Sequence, residues 1–328
     1  AFKQDELLVH DNLVQVKSMD IVESSVASII RYLHEKTYSL ALAKRVDSVI
    51  DTFEIGVGFS LTGQQRDAVL QCCTNSITLL TGGAGCGKTT VIEAICYALE
   101  SLNKTKQVIL MALAGKAAQR ITEATGRDAM TIAGFMHNVA PEEIEDDAVI
   151  IVDEASMVDV LSLLKVLKRV PKRGRIILTG DQEQLPPVGV GLGLHVLVAQ
   201  PIANPHLTIV KRQSESSGIP SVASAIRNYP TNMVKVSFTA YKGLGDGVSF
   251  IDCEPGNIEA ICMKVYRDLG GNGTDDSVVL LSSVKHQEGG SIPLNSHVYD
   301  EFAKGEKIDL EHTEFGNVNH NVDGRAIR

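Results

Sequence analysis

The sequence predicts an α/β protein: a parallel sheet covered by helices on both faces, preceded by a small helical segment and followed by a second, incomplete α/β unit. Three observations predict it. Short apolar runs at residues 77–80, 108–113, 149–152 and 175–178 alternate with helical stretches, the pattern of strands buried on both faces. Three of these runs lead into glycines or into polar, chemically useful residues, as expected where ligands sit at the carboxyl ends of parallel strands. The first run opens into a glycine-rich loop and then a helix over residues 89–102.

The chain begins with a helical region. Ile21, Val22, Ser25, Val26, Ile29, Ile30 and Leu33 recur at helical spacing, and residues 40–53 repeat the pattern until Gly56-Val57-Gly58 breaks it. Beyond about residue 205 the expected elements are strands at 248–251 and 278–281 with a helix at 257–269 between them. The 328 residues, 44% hydrophobic, suffice for two or three domains.

Composition narrows the function classes. No apolar run approaches the roughly 20 residues needed to span a bilayer. Residues 1–10 are polar and mixed in charge, unlike a signal peptide; the expectation is a soluble, cytoplasmic protein that meets no membrane. The net charge of −9 argues against a positive sheath gripping duplex DNA, but leaves room for a local groove that tracks a single strand. Cys72, Cys73, Cys86, Cys96, Cys253 and Cys262 form no C-x-x-C pair; they read as reduced thiols rather than a disulfide framework or zinc site.

Residues 82–89, Gly-Gly-Ala-Gly-Cys-Gly-Lys-Thr, fit G-x-x-x-x-G-K-[ST] between a predicted strand and a predicted helix. Gly83, Gly85 and Gly87 let the backbone curl so that its N–H groups, with those of Cys86 and Thr90, face phosphates at a helix N-terminus. Lys88 reaches the β- and γ-phosphates, and the Thr89 hydroxyl holds Mg²⁺. Residues 148–154, AVIIVDE, deliver Asp153 as a second Mg²⁺ carboxylate. Glu154 follows, placed to orient or deprotonate a water. The expected ligands are ATP and Mg²⁺.

Together these residues resemble superfamily 1 helicases of the RecD-like branch, to which the exodeoxyribonuclease V alpha subunit belongs, over residues 61–227. Residues 61–69, LTGQQRDAV, resemble the family's adenine-reading motif, with Gln65 as its glutamine. Residues 113–120, LAGKAAQR, resemble its P-T-G-K-A-A motif, which contacts the DNA backbone; Leu113-Ala114 replace Pro-Thr and Lys116 is retained. Thr131-Ile132 resembles a T-I-H element with Ala133 in place of His. Lys116 and Thr131 are therefore the expected nucleic-acid contacts, although Lys116 also reads as a solvated surface lysine. Residues 153–159, DEASMVD, and 180–188, GDQEQLPPV, match two further motifs; the resemblance makes Gln184 the sensor of the γ-phosphate. Residues 207–213, LTIVKRQ, resemble the segment carrying the arginine finger, with Arg212 preferred over its neighbour Lys211. His137, His195 and His206 lie near motifs but have no catalytic spacing.

The resemblance implies a helical domain at 1–55, a first RecA-like ATP-binding lobe at 56–205 and a partial second RecA-like lobe at 206–328, in which residues 282–302 resemble the lobe's start. It implies an ATP-dependent helicase or translocase, 5′ to 3′ on single-stranded DNA, in recombination or repair. The alternatives are an ATP-gated noncatalytic subunit of an exonuclease or other DNA-processing complex, an RNA helicase, or a relaxase-linked motor. The family's T-x-H-K-x-Q-G-type segment and its final arginine are not found. The link from Phe135 to Ala148 is short where relatives place a strand-parting β-hairpin. The expectation is a chain that binds nucleotide and unwinds DNA poorly or not at all.

Overall fold

The computed structural model describes residues 7–10, 13–36, 40–102, 105–209, 218–227, 238, 240–243, 247–274, 277–303, 321–322 and 325–326. They fall into two compact units, residues 1–213 and 214–328.

The first unit is built on a six-stranded sheet. Its strands are β3 (Ile77–Gly82), β4 (Val108–Ala112), β5 (Ala129–Thr131), β6 (Val149–Asp153), β7 (Arg175–Gly180) and β8 (His206–Leu207), in the spatial order β5-β4-β6-β7-β3-β8. Every pairing is parallel. Alternation along the strands sends side chains to two separate cores. Leu80, Leu110, Ile151 and Ile177 face α2 (Leu40–Val57), α3 (Gly63–Thr74), α4 (Lys88–Ser101) and α5 (Gly115–Thr125). Leu79, Met111, Ile150 and Leu178 face α1 (Lys17–His34), α6 (Ile132–Asn138), α7 (Val160–Leu167) and α8 (Gly193–Val198). A sheet buried on both faces explains why the β3, β6 and β7 segments are nearly all apolar.

The N-terminal helices belong to this unit. In α1, Val26, Ile30 and Leu33 are buried at helical spacing and join the core beneath β3 and β7. In α2, Val46, Ile50 and Phe53 join the opposite core, with Phe53 5.5 Å from the ring of Tyr97 on α4. Arg66 of α3 ties α2 down through Asp51 at 2.6 Å and Glu54 at 3.0 Å. The first residues are not wholly helical: Leu7–His10 (β1) and Leu13–Val16 (β2) form an antiparallel hairpin. β5 and β8 are also additions to the expected strands, whereas the expected helix at 89–102 is α4.

In the second unit the expected helix is present as α10 (Ile258–Asp268), accompanied by α9 (Ile219–Arg227), α11 (Ser291–Val298) and a pairing of two short strands, β9 (Asn321–Val322) and β10 (Arg325–Ala326). The expected strands at 248–251 and 278–281 do not form: apart from a bridge at Ser249 both segments are irregular, with Phe250 and Leu281 exposed. An apolar run becomes a strand only when a neighbour takes its backbone hydrogen bonds. Between α6 and β6 the link holds one 3-10 turn, Pro141–Glu143, and no hairpin. No helix among the described residues is long and apolar enough to cross a membrane.

Candidate nucleotide site

The glycine-rich loop leaves β3 at Gly82 and enters α4 at Lys88. Gly85 and Gly87 hold φ of 80° and 85°, a region that disfavours side chains. The turn they create delivers Lys88 and Thr89 at the start of α4, where unpaired N–H groups and the helix dipole favour an anion. Lys88 Nζ donates to the carbonyls of Gly82 at 2.7 Å and Gly83 at 3.1 Å. It thereby closes the loop on itself and retains a third N–H for a phosphate. The Cys86 thiol is turned inward and donates to Gly83 O at 2.8 Å. Burial pushes its pKa up, so it acts as packing rather than as a nucleophile.

The acidic pair comes from the end of β6. Asp153 Oδ1 accepts from the Glu154 N–H at 2.9 Å and from the Thr179 hydroxyl at the end of β7. Glu154 has φ 53°, the one positive value at a non-glycine position among the described residues. The sharp turn lifts its carboxylate out of the sheet into the cleft. Beyond β7, Asp181 organises the next loop: its Oδ1 accepts from Glu183 N at 3.0 Å and its carbonyl from Gln184 N at 3.1 Å. Gln184 is exposed on that loop.

These parts meet in one cleft of about 620 Å³, lined by Gly83, Gly85, Gly87, Lys88, Thr89 and Thr90 of the loop, Asp153 and Glu154 after β6, and Gln184 after β7. The donors fit a magnesium ion: a hydroxyl from Thr89 and a carboxylate from Asp153, both hard oxygen ligands, lie in the lining of a cleft built to receive phosphates. Three further charged residues line it that sequence reasoning missed, Glu93, Arg120 and Glu123. Their signal lay in helical spacing: Glu93 stands four residues after Thr89 on α4, and Arg120 four residues after Lys116 on α5. Burial raises the Glu93 pKa, with Arg127 acting against it.

The remaining expected residues lie elsewhere. Gln65 is 3% exposed on α3 behind the loop, with its amide bonded to protein atoms. Lys116 is exposed in the first turn of α5. Thr131 ends β5 beside Ala112 of β4, so the two expected nucleic-acid residues arise at adjacent strand ends; the Thr131 hydroxyl caps α6 through Gly134 N at 3.0 Å. Lys211 and Arg212 lie outside the described residues. His206 meets the Thr81 hydroxyl at 2.9 Å beneath the loop, a structural contact.

A parallel sheet with a phosphate loop on one strand, an acidic pair on a second and a glutamine-bearing loop on a third defines a RecA-like P-loop nucleotide-binding protein. Comparison with known sequences makes this specific: the AAA domain family model matches residues 60–243. The chain belongs to that family, and its relatives are superfamily 1 helicases of the RecD-like branch. It is 34% identical over 259 residues to the ATP-dependent RecD2 DNA helicase of Deinococcus radiodurans, covering 75% of this chain and 33% of the relative. It is 32% identical over 208 residues to the RecBCD enzyme subunit RecD of Mycolicibacterium smegmatis, covering 52% and 36%. Among solved structures, the Pif1 helicase from Candida albicans shares 24% identity over 51% of this chain and 44% of that one, with a TM-score of 0.40. The chain thus spans about a third of the length of these curated relatives.

Proposed function

We propose that this chain is the ATP-hydrolysing part of a RecD-like DNA helicase or translocase that moves 5′ to 3′ along single-stranded DNA in recombination or repair, in the cytoplasm. The observation that carries the reading is the convergence of Lys88, Thr89, Asp153, Glu154 and Gln184 from three strand ends on one cleft. Lys88 and the loop amides bind the phosphates. Arg120, a second cation in the lining, adds charge opposite them. Thr89 and Asp153 hold Mg²⁺, which when bound neutralises charge on the phosphates. Glu154 accepts the proton of a water as its oxygen bonds to the γ-phosphorus and the bond to ADP breaks. Arg212 stabilises the charge that develops in the transfer, Gln184 senses the γ-phosphate, and Lys116 and Thr131 hold the strand.

The test is Mg²⁺-dependent ATP hydrolysis with and without single-stranded DNA, in the wild-type chain and in Lys88→Ala and Arg120→Ala. The expected result is hydrolysis stimulated by DNA, reduced about 100-fold or more in Lys88→Ala and less severely in Arg120→Ala. Failure to bind or hydrolyse ATP would sink the proposal. Nucleotide binding without stimulated turnover would instead favour an ATP-gated subunit of an exonuclease complex, a reading supported by the similarity to a chain named as a RecBCD subunit.

A further inference from the structure

The resemblance gives Gln65 to the adenine edge, but its surroundings in this chain give its carboxamide other work. The residue is 3% exposed. Its Oε1 accepts from Thr62 N at 2.9 Å, while its own N–H donates to Thr62 Oγ1 at 3.3 Å; together these form the capping box that starts α3. Its Nε2 donates to Cys86 O at 3.2 Å. Cys86 immediately precedes Gly87, and the contact with the loop is close there as well. A Cβ built on Gly87 would stand 2.4 Å from Gln65 Nε2.

The carboxamide therefore fills the space directly behind the turn that delivers Lys88 and Thr89. Reading a base would require the side chain to leave this position and strand the Thr62 N–H and the Cys86 carbonyl. Buried groups without partners are costly. Holding the turn from behind requires nothing to move.

We propose that Gln65 is a positioning residue for the phosphate-binding loop and not a reader of the base, so that it governs affinity for polyphosphate whatever base is attached. The proposal rests on nucleotide binding at this loop, as argued above. Two substitutions separate its two attachments. Gln65→Ala removes both. Gln65→Glu keeps an acceptor for Thr62 N, and glutamate is a regular partner in such capping boxes, but it loses the donor to Cys86 O.

Calorimetric titration of the full chain with Mg-ATP, Mg-GTP and Mg-tripolyphosphate supplies the test, with Lys88→Ala as the control for the loop. In both Gln65 variants the dissociation constants for all three compounds should rise by a common factor of about ten. A loss confined to ATP, with GTP and tripolyphosphate unchanged, would restore the base-reading role and overturn the proposal. A lower melting temperature with all three affinities unchanged would reduce Gln65 to a cap of α3 and overturn it equally. If Gln65→Ala does not fold, Gln65→Glu alone decides between these outcomes. No binding of any of the three by the wild-type chain is a separate result, which removes the nucleotide site itself.

Discussion

Glu154 holds φ 53°, a left-handed conformation that costs a residue with a Cβ about 1 kcal/mol. The cost is met because the turn puts a carboxylate into the cleft beside Asp153. Glycine at this position releases the strain and alanine keeps it. Glu154→Gly should therefore be about 1 kcal/mol more stable than Glu154→Ala in denaturant unfolding, while both lose hydrolysis. Glu154→Gln should still bind ATP and turn it over about 100-fold more slowly or worse. Equal stability of the Gly and Ala variants would mean that the backbone at this turn is not strained. Thr179, bonded to Asp153, was absent from the sequence reading because nothing in a linear pattern says that β7 lies next to β6.

At the scale of elements, α7 depends on its first residue. Asp159, the last residue of the DEASMVD motif, accepts from Leu161 N at 3.0 Å, Ser162 N at 2.9 Å and the Ser162 hydroxyl at 2.8 Å. Burial pushes its carboxyl pKa up, but the Ser162 and Leu161 hydrogen bonds outweigh burial and hold it below the usual 3.8. A depressed pKa stabilises the fold above the unfolded value, and the stabilisation is lost as pH falls through the folded value. Asp159→Ala should cost about 1 kcal/mol at pH 7, and the gap to wild type should narrow only below about pH 4, as followed by thermal melts across pH. A gap that stays constant to pH 2 would assign the effect to packing instead. The same scale explains which elements were legible. β3, β4, β6 and β7 announced themselves because both faces of each are buried, which leaves an apolar run in the sequence. The hairpin β1–β2, three-residue β5 and two-residue β8 carry no such run; their hydrogen-bond partners define them. The irregular segment 278–281 is the converse, an apolar run that lacks a neighbouring strand.

For the whole molecule, the members of both apolar cores that flank the sheet lie before residue 208, within the unit that ends at Gln213. A chain ending at Gln213 should therefore fold and bind Mg-ATP with a dissociation constant within about twofold of the full chain, measured by calorimetry. A fragment that aggregates or binds far more weakly would show that residues beyond 213 complete the lobe. The nucleotide cleft was largely readable beforehand because its chemistry sits in contiguous motifs. The role of Gln65 was not, since a motif names the residue without saying which way its amide is spent.

Cys72, Cys73, Cys86 and Cys96 are all buried in the nucleotide-binding unit, while Cys253 and Cys262 in the other unit are half-exposed. Burial drives the thiols of Cys73 and Cys96 up to about 12, so that almost none of either is in the reactive thiolate form at neutral pH. The chain thus carries its own stopwatch. A thiol reagent meets the outer pair at once and the inner four only when the lobe breathes open, and Cys86 sits in the loop that a triphosphate would clamp shut.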